Sequence, residues 1–316
     1  MTKKVVRASA PGKITIYGEH AVVYGHPALV AAISRRVYAT CIPRDDLRIR
    51  VSAVNLQVPG VILTYGEDGE LTVETDYGRV LSGVSYIRES IRITSDYISE
   101  RGGVDVIVES TMPVGAGLGT SAAVAVATIA AYSKSMGHEL SKEEIARLAW
   151  ETEKRVQGIA SPMDTSIATF GGVMYVLRKG SEVLTEKVNL KEDVPIVIGY
   201  VERKHTTAEM VAEVKRLLDI HGEVFNPIME LIGEVTRAGR KALEGGNLEE
   251  AGLLMNVNHG LLEALGVSDL RISQLVHAAR QEGALGSKLS GAGGGGAMLA
   301  LVLEENLERV KSAVEI

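Results

Sequence analysis

A glycine-rich segment in the middle of the chain has the composition of a loop that binds polyphosphate. It reads Pro113-Val-Gly115-Ala116-Gly117-Leu118-Gly119-Thr120-Ser121. Alternate glycines permit positive φ angles and close approach of the backbone to an anion, and the N–H groups that open the following predicted helix supply donors. One hydroxyl of the Thr120-Ser121 pair could ligate Mg²⁺, and the other could cap the helix or contact a phosphate. The segment could also be only a turn, and because it lacks the lysine of a Walker A motif, charge compensation must come from elsewhere.

Two carboxylates follow this segment at positions that suit phosphoryl transfer. That reaction needs one carboxylate to orient or deprotonate the attacking hydroxyl and another to hold the metal. Glu153 lies near the end of a predicted helix, and Asp164 follows a turn at Ser161 and Pro162. Asp164 is equally placed to be a helix N-terminal residue that only interacts with the helix dipole. The spacing leaves both alternatives open.

A further set of polar residues lies near the N-terminus. Lys13 follows a predicted Pro-Gly turn, and Glu19 and His20 follow Gly18, with apolar residues between them. Strand or loop ends could project these side chains into a cleft. Each alone is more often a solvated lysine or a histidine that is hydrogen-bonded in the core, so the hypothesis depends on their clustering.

The last glycine-rich motif extends from Lys288 to Gly296 and contains a formal GxGxxG pattern from Gly291 onward. A dinucleotide-binding fingerprint follows a strand and opens a helix, whereas this motif precedes a predicted strand from Ala297 to Leu303. We therefore reject a Rossmann site. Ordering so many glycines costs conformational entropy, which suggests a second close approach of the backbone to a ligand.

Together and in this order, the motifs resemble those of the GHMP kinase superfamily, named for galactokinase, homoserine kinase, mevalonate kinase and phosphomevalonate kinase. The resemblance extends from Ala10 to about Ala297. The segment APGKITIYGEHAVVYG is similar to the mevalonate kinase branch; galactokinases usually carry an Arg-x-Asn version, and phosphomevalonate kinases lack the Glu-His pair. The resemblance implies ATP-dependent phosphorylation of the C5 hydroxyl of mevalonate, with Mg²⁺, in isoprenoid biosynthesis.

The resemblance also implies roles for single residues. Asp164 matches the catalytic aspartate and Lys13 the lysine that pairs with it, while Ser121 and Glu153 match Mg²⁺ ligands. The loop from Pro113 to Ser121 would hold the phosphates of ATP. The positions implied to contact the substrate are Glu19, His20, Lys204, Thr206, Gly291 and Ala292. Eukaryotic members tend to have arginine where this chain has Lys204, and lysine cannot form the bidentate pair with a carboxylate.

The composition excludes several other classes of protein. The net charge of -6, without dense runs of Lys or Arg, argues against a nucleic-acid partner. A single cysteine excludes an intrachain disulfide. The longest apolar stretch, Ala122 to Tyr132, is far shorter than the roughly 20 residues of a membrane span, and the N-terminus lacks the apolar region of a signal peptide. We expect a cytoplasmic enzyme without a membrane partner, and the resemblance implies a homodimer.

The hydrophobic pattern predicts an α+β fold. Helices are expected at Val84 to Ile98, Gly119 to Ser135, Ser141 to about Gln157 with a capping box, and Thr206 to Ile220. Strands are expected at Val5 to Ala8, Ile14 to Tyr17, Ala28 to Ile33, Val37 to Ile42, Leu71 to Glu74, Val104 to Glu109, Gly171 to Leu177, Val183 to Leu190 and Pro195 to Val201, with turns at Pro11-Gly12 and Pro59-Gly60. We expect two α+β domains, residues 1–180 and 181–316, with the active site in the cleft between them.

Two alternatives to this function remain open. One is another GHMP kinase that acts on phosphomevalonate, a sugar or homoserine. The other is a non-catalytic sensor that keeps the fold and binds ATP or a metabolite. The set of Lys13, Glu153 and Asp164 argues against the sensor, because a sensor does not need a base together with metal ligands.

Overall fold

The structure is a computed structural model that describes residues 3–54, 62–65, 71–74, 83–112, 116–158, 160–180 and 182–315. The turn predicted at Pro59-Gly60 lies outside the described residues. So do Pro113 and Gly115 of the predicted phosphate loop.

The first third of the chain forms mostly strands, and a run of helices follows in the second half, as the sequence pattern indicated. The strands are β1 (Val6–Tyr17), β2 (Pro27–Pro43), β3 (Ile49–Val54), β4 (Ile62–Tyr65), β5 (Leu71–Glu74), β6 (Val104–Ser110), β7 (Val173–Lys179), β8 (Glu182–Val188), β9 (Ile196–Val201), β10 (Gly286–Ser290) and β11 (Gly296–Leu301). The α-helices are α1 (Gly83–Ile98), α2 (Thr120–Ser135), α3 (Lys142–Gln157), α4 (Pro162–Phe170), α5 (Thr207–Ile220), α6 (Gly222–Gly245), α7 (Leu248–Ala264), α8 (Leu270–Gln281) and α9 (Leu307–Val314). Short 3₁₀ helices occupy Ala21–Tyr24 and Glu304–Asn306. In the part of the chain that is described, no helix combines the length and apolarity needed to cross a membrane.

The chain folds into two compact units, each made of separated stretches. Unit 1 comprises Met1–Lys13, Ala32–Val114 and Gly119–Gly171; unit 2 comprises Ile14–Ala31, Gly115–Leu118 and Gly172–Ile316. Both contain strands and helices, which agrees with the expected α+β class. The division into domains at residue 180 stays a prediction.

Unit 1 is built around a sheet and the buried helix α2. The second half of β2 pairs antiparallel with β6, which pairs in parallel with β3, and β4 and β5 extend the sheet. Alternate residues of β6 are buried, as expected for a strand with one face towards a core. Helix α2 is almost entirely buried, and α1, α3 and α4 pack against it. Helix α3 begins with the predicted capping box of Ser141 and Glu144.

Unit 2 contains a second sheet and most of the helices. Strands β10 and β9 pair antiparallel with the two edges of β11. Helices α7 and α8 pack against β10, and the cross-strand partners Leu289 and Met298 are fully buried beneath them. The first half of β2 pairs with β7, which pairs with β8. The last glycine-rich motif therefore joins two antiparallel strands and opens no helix, in agreement with the rejection of a Rossmann site.

Two details of the predicted strands are wrong. Pro11 and Gly12 do not form a turn, because β1 continues through them. Among the described strands β1 pairs only with β2, and a strand paired on one side tolerates proline, which lacks an N–H group. The two strands predicted between Ala28 and Ile42 are a single strand, whose exposed residues Ser34 and Arg35 interrupt the hydrophobic pattern without ending the strand.

Candidate active site

Lys13 and Asp164 form an ion pair in unit 1. The Lys13 Nζ atom lies 3.3 Å from Asp164 Oδ1, and the lysine side chain is mostly buried. Asp164 is in the first turn of α4, which begins at Pro162 after the N-cap Ser161. Asp164 is thus a helix N-terminal residue, as one alternative expected, and it also pairs with a mostly buried lysine, while its catalytic role stays a prediction. Among the described residues Asp164 Oδ1 has no hydrogen bond.

Gly119 packs directly on the stem of Lys13. It is the N-cap residue of α2 and adopts a left-handed conformation with φ of 70°. A Cβ atom at this position would lie 2.8 Å from Lys13 Cγ. Glycine is therefore required twice here, for its backbone conformation and for the space that the lysine occupies. Since Gly119 is the cap, neither Thr120 nor Ser121 occupies the N-cap position, and their hydroxyls lie in the first turn.

Glu153 is the most electrostatically perturbed carboxylate of this cluster. It is 4% exposed, and burial followed by the negative charge of Asp164 raises its pKa to about 8. The charge of Lys13 and a hydrogen bond with Ser121 act in the opposite direction. Elements β1, α2, α3 and α4 thus bring together the four residues predicted for catalysis and metal binding: Lys13, Ser121, Glu153 and Asp164.

The donor set of this cluster fits Mg²⁺. Magnesium prefers oxygen ligands and is usually held by one or two carboxylates together with substrate phosphates. Ser121 and Glu153 offer a hydroxyl and a buried carboxylate, and because burial and the charge of Asp164 raise the pKa of Glu153, a bound cation would favour its ionised, metal-binding form. Within the described ranges no group of three or more His, Cys, Asp or Glu side chains is arranged to hold a metal by itself.

Two residues beside this cluster escaped the sequence analysis. The Tyr86 hydroxyl accepts a hydrogen bond from the Gln157 amide and also interacts with Ser121 and Glu153. Both residues lie on helices that pack side by side, α1 and α3. No local pattern marks them, because their proximity to Ser121 arises from helix packing.

Glu19 and His20 lie together in unit 2 and contact the last glycine-rich motif. Both side chains are buried. Glu19 forms an ion pair with Lys288, and His20 Nε2 lies 2.9 Å from the carbonyl oxygen of Ala292. Burial lowers the pKa of His20, and the contact with Ala292 only partly offsets this. His20 is therefore a neutral imidazole at neutral pH.

A third contact joins the same two motifs. The Thr15 backbone N–H donates to Ser290 Oγ at 2.9 Å, and Ser290 Oγ donates in turn to the Thr15 carbonyl at 3.2 Å. Gly291, which follows, has a φ of 92° that favours glycine. The first and last motifs, more than half the chain apart in sequence, are thus neighbours in space.

The segment after β9 presents Arg203 rather than Lys204 to the glycine-rich backbone. Lys204 is exposed, and the Thr206 hydroxyl caps α5 in a capping box with Glu209. Arg203 is half-buried, and its guanidinium lies so close to Gly117 and Gly296 that Cβ atoms there would come within 2.6 and 2.8 Å of it. The sequence analysis missed this arginine, although its position beside Lys204 at a strand end was an available signal.

The guanidinium of Arg203 is only partly hydrogen-bonded within the described part of the chain. Its Nη1 donates to Thr207 Oγ1 at 3.0 Å, whereas the buried Nε has no hydrogen bond among the described residues. A buried N–H group of a cation without an acceptor is costly. The arrangement suits a bound anion, which would supply the acceptor.

Comparison with known proteins agrees with this geometry. The chain matches the family models for the GHMP kinases N terminal domain over residues 85–172 and the GHMP kinases C terminal over residues 240–316. It is 43% identical to the mevalonate kinase of Thermococcus sibiricus, over 98% of this chain and 93% of the relative. It is 37% identical to that of Saccharolobus solfataricus, over 94% of this chain and 90% of the relative.

Solved structures give the same result for the fold. The Methanococcus jannaschii mevalonate kinase superposes with a TM-score of 0.80 at 28% identity, covering 98% of this chain and 94% of that one. The L. major mevalonate kinase in complex with R-mevalonate has a TM-score of 0.84 at 24% identity, covering 99% and 92%. The resemblance found in the motifs and the predicted two-domain fold are both confirmed, and this chain belongs to the GHMP kinase family.

Proposed function

We propose that this chain transfers the γ-phosphoryl group of ATP to the C5 hydroxyl of mevalonate. The observation that carries the proposal is the Lys13–Asp164 pair, set beside Glu153 and Ser121 at the start of α2. This cluster supplies a base, a cation and metal ligands, which are the groups that phosphoryl transfer requires. The archaeal relatives that carry the name mevalonate kinase support the choice of substrate.

Asp164 has the geometry of the residue that orients the attacking hydroxyl. Its side chain is 30% exposed, so a substrate can reach it, and the Lys13 ammonium holds it in place. As the hydroxyl attacks the γ-phosphorus, the carboxylate accepts or orients the proton that the hydroxyl loses. Lys13 lies where it can also neutralise charge that develops on the transferring group.

Ser121 and Glu153 would hold Mg²⁺, which supplies charge neutralisation of the ATP phosphates when it is bound. Glu153 must lose its proton to become a ligand, and its pKa of about 8 makes that ionisation sensitive to a nearby cation. The backbone from Pro113 to Gly119 and the hydroxyl of Thr120 would contact the phosphates. Helix α2 begins at Thr120, so its N-terminal N–H groups would donate to a bound phosphate.

On the substrate side, we assign the carboxylate of mevalonate to Arg203 in place of Lys204. Arginine can bind a carboxylate through two parallel hydrogen bonds, and its Nε lacks a partner within the described chain. Glu19 and neutral His20 would contact the hydroxyl groups, and Gly291 and Ala292 would approach the substrate through their backbone. The Thr206 hydroxyl already caps α5, so the substrate contact that the resemblance implies requires the same hydroxyl to serve both purposes.

The test is ADP release by the full chain with ATP and Mg²⁺ across four candidate substrates: mevalonate, phosphomevalonate, galactose and homoserine. We expect release with mevalonate alone, and ³¹P NMR of the product should show a phosphomonoester at C5. ADP release with one of the other three compounds instead would identify that compound as the substrate. No ADP release with any of the four would favour the non-catalytic sensor. The homodimer and the cytoplasmic location stay predictions.

A further inference from the structure

A lysine in the last glycine-rich motif is completely buried. Lys288 is the central residue of β10, and its side chain is 0% exposed. Its ammonium contacts the Glu19 carboxylate and donates a hydrogen bond of 2.7 Å to the Leu289 carbonyl. The Glu19 side chain is almost as deeply buried, at 1%.

Stability alone does not explain this pair. Removing two charges from water is costly for each ion, and apolar side chains of similar volume often serve the fold equally well. Leu289 follows Lys288 in β10 and Leu299 is its cross-strand partner in β11, and both are apolar and fully buried, whereas Ser287 on the other side of Lys288 is polar and hydrogen-bonded. A buried ion pair in such surroundings calls for a functional explanation.

The backbone at Glu19 points to the same conclusion. Gly18 and His20, on either side of it, both have positive φ angles, of 94° and 59°. A non-glycine residue in this region is strained and persists where surrounding contacts fix it, which is common at functional sites. Lys288 fixes the Glu19 side chain and Ala292 fixes that of His20.

We propose that Lys288 is a positioning residue that holds the Glu19 carboxylate where it accepts a hydrogen bond from a hydroxyl group of the substrate. Lys288 does not itself contact the substrate, since its ammonium is already engaged by Glu19 and the Leu289 carbonyl. The inference rests on the proposed function, because it assumes that Glu19 contacts the substrate.

The test is a double-mutant cycle on the full chain, with Lys288→Met, Glu19→Gln and the double variant, in steady-state assays with mevalonate and MgATP. We expect Lys288→Met to raise the KM for mevalonate by about tenfold or more, the loss typical of a misplaced charge-assisted hydrogen bond, and to change the KM for ATP by less than about twofold. In the Glu19→Gln background the same substitution should add less than about twofold, since its only route to the substrate has been removed. Lys215→Met, on the exposed face of α5, is the control and should leave all constants unchanged.

Several results would overturn the proposal. An equal rise in the mevalonate KM in both backgrounds, or an equal rise in the KM for ATP, would make Lys288 a purely structural residue. If Lys288→Met does not fold, Glu19→Gln is compared with the double variant. A difference above about fivefold between their KM values for mevalonate contradicts the positioning role of Lys288. Normal turnover of mevalonate by the unaltered chain together with an unchanged KM in Lys288→Met removes this inference and leaves the proposed function intact. No turnover by the unaltered chain removes both.

Discussion

Replacing Glu153 by glutamine should stabilise the metal-free protein, and the gain should grow with pH. An unfolded chain releases the proton of this glutamate near its ordinary pKa of 4.5, whereas burial and Asp164 keep it bound in the folded chain up to about pH 8. The folded state therefore loses stability as the pH rises from 4.5 to 8. Each pKa unit corresponds to about 1.4 kcal/mol, so the penalty is about 1 kcal/mol at pH 5 and about 3 kcal/mol at pH 7. Glutamine, which does not ionise, avoids it.

The assay is thermal unfolding in EDTA at pH 5, 7 and 8.5, followed by circular dichroism. Glu153→Gln should exceed the parent in Tm by several degrees at pH 7 and above, and by little at pH 5. Glu143→Gln is the matched control, because Glu143 lies on the same helix and is exposed. Its Tm should follow that of the parent at all three pH values.

Addition of MgATP extends the same experiment to the metal site. Glu153 can bind Mg²⁺ only as a carboxylate, so the parent should gain more stability from MgATP than Glu153→Gln does. A Tm difference between the two proteins that does not change with pH would refute the burial argument. A lower Tm for the glutamine variant at pH 8.5 in EDTA would refute it more strongly.

Three further substitutions test the rest of the site. Lys13→Met should lower kcat by about 100-fold or more with little change in ATP binding by calorimetry, because it removes charge neutralisation in the transition state. Gly119→Ala introduces strain at a φ of 70° and displaces the Lys13 stem. We therefore expect kcat to fall about tenfold or more in the steady-state assay, with an unchanged far-UV circular dichroism spectrum. Arg203→Gln should raise the KM for mevalonate about tenfold or more and leave kcat within about threefold of the parent. An unchanged KM would indicate that Lys204, and not Arg203, binds the carboxylate of mevalonate.

Local features of the fold were predictable from the sequence because neighbouring residues determine them. The capping box of Ser141 and Glu144 and the apolar, alanine-rich composition of α2 predict two helices that the structure contains. The alternate glycines of the central segment predict the positive φ angles of Gly117 and Gly119, and the apolar residues after the last motif predict β11. The turn expected at Pro11-Gly12 is wrong because strand pairing overrode a local preference.

Contacts between residues far apart in the chain could not be predicted from the sequence. Glu19 and Lys288 lie in different motifs at opposite ends of the chain, and only the packing of unit 2 reveals that they form a buried ion pair. The position of Arg203 beside Lys204 at a strand end marks it only as a candidate, because its burial depends on Gly117 and Gly296 leaving room for it. The raised pKa of Glu153 likewise depends on burial that no spacing encodes.

The most direct test of the account is the turnover of Asp164→Asn with mevalonate and MgATP. Asparagine preserves the shape of the side chain and its place beside Lys13, but it cannot accept the proton of the hydroxyl. We expect kcat to fall by about 100-fold or more, while calorimetry still shows binding of ATP and mevalonate. A variant that phosphorylates mevalonate at nearly the rate of the parent would contradict the role of the Lys13–Asp164 pair.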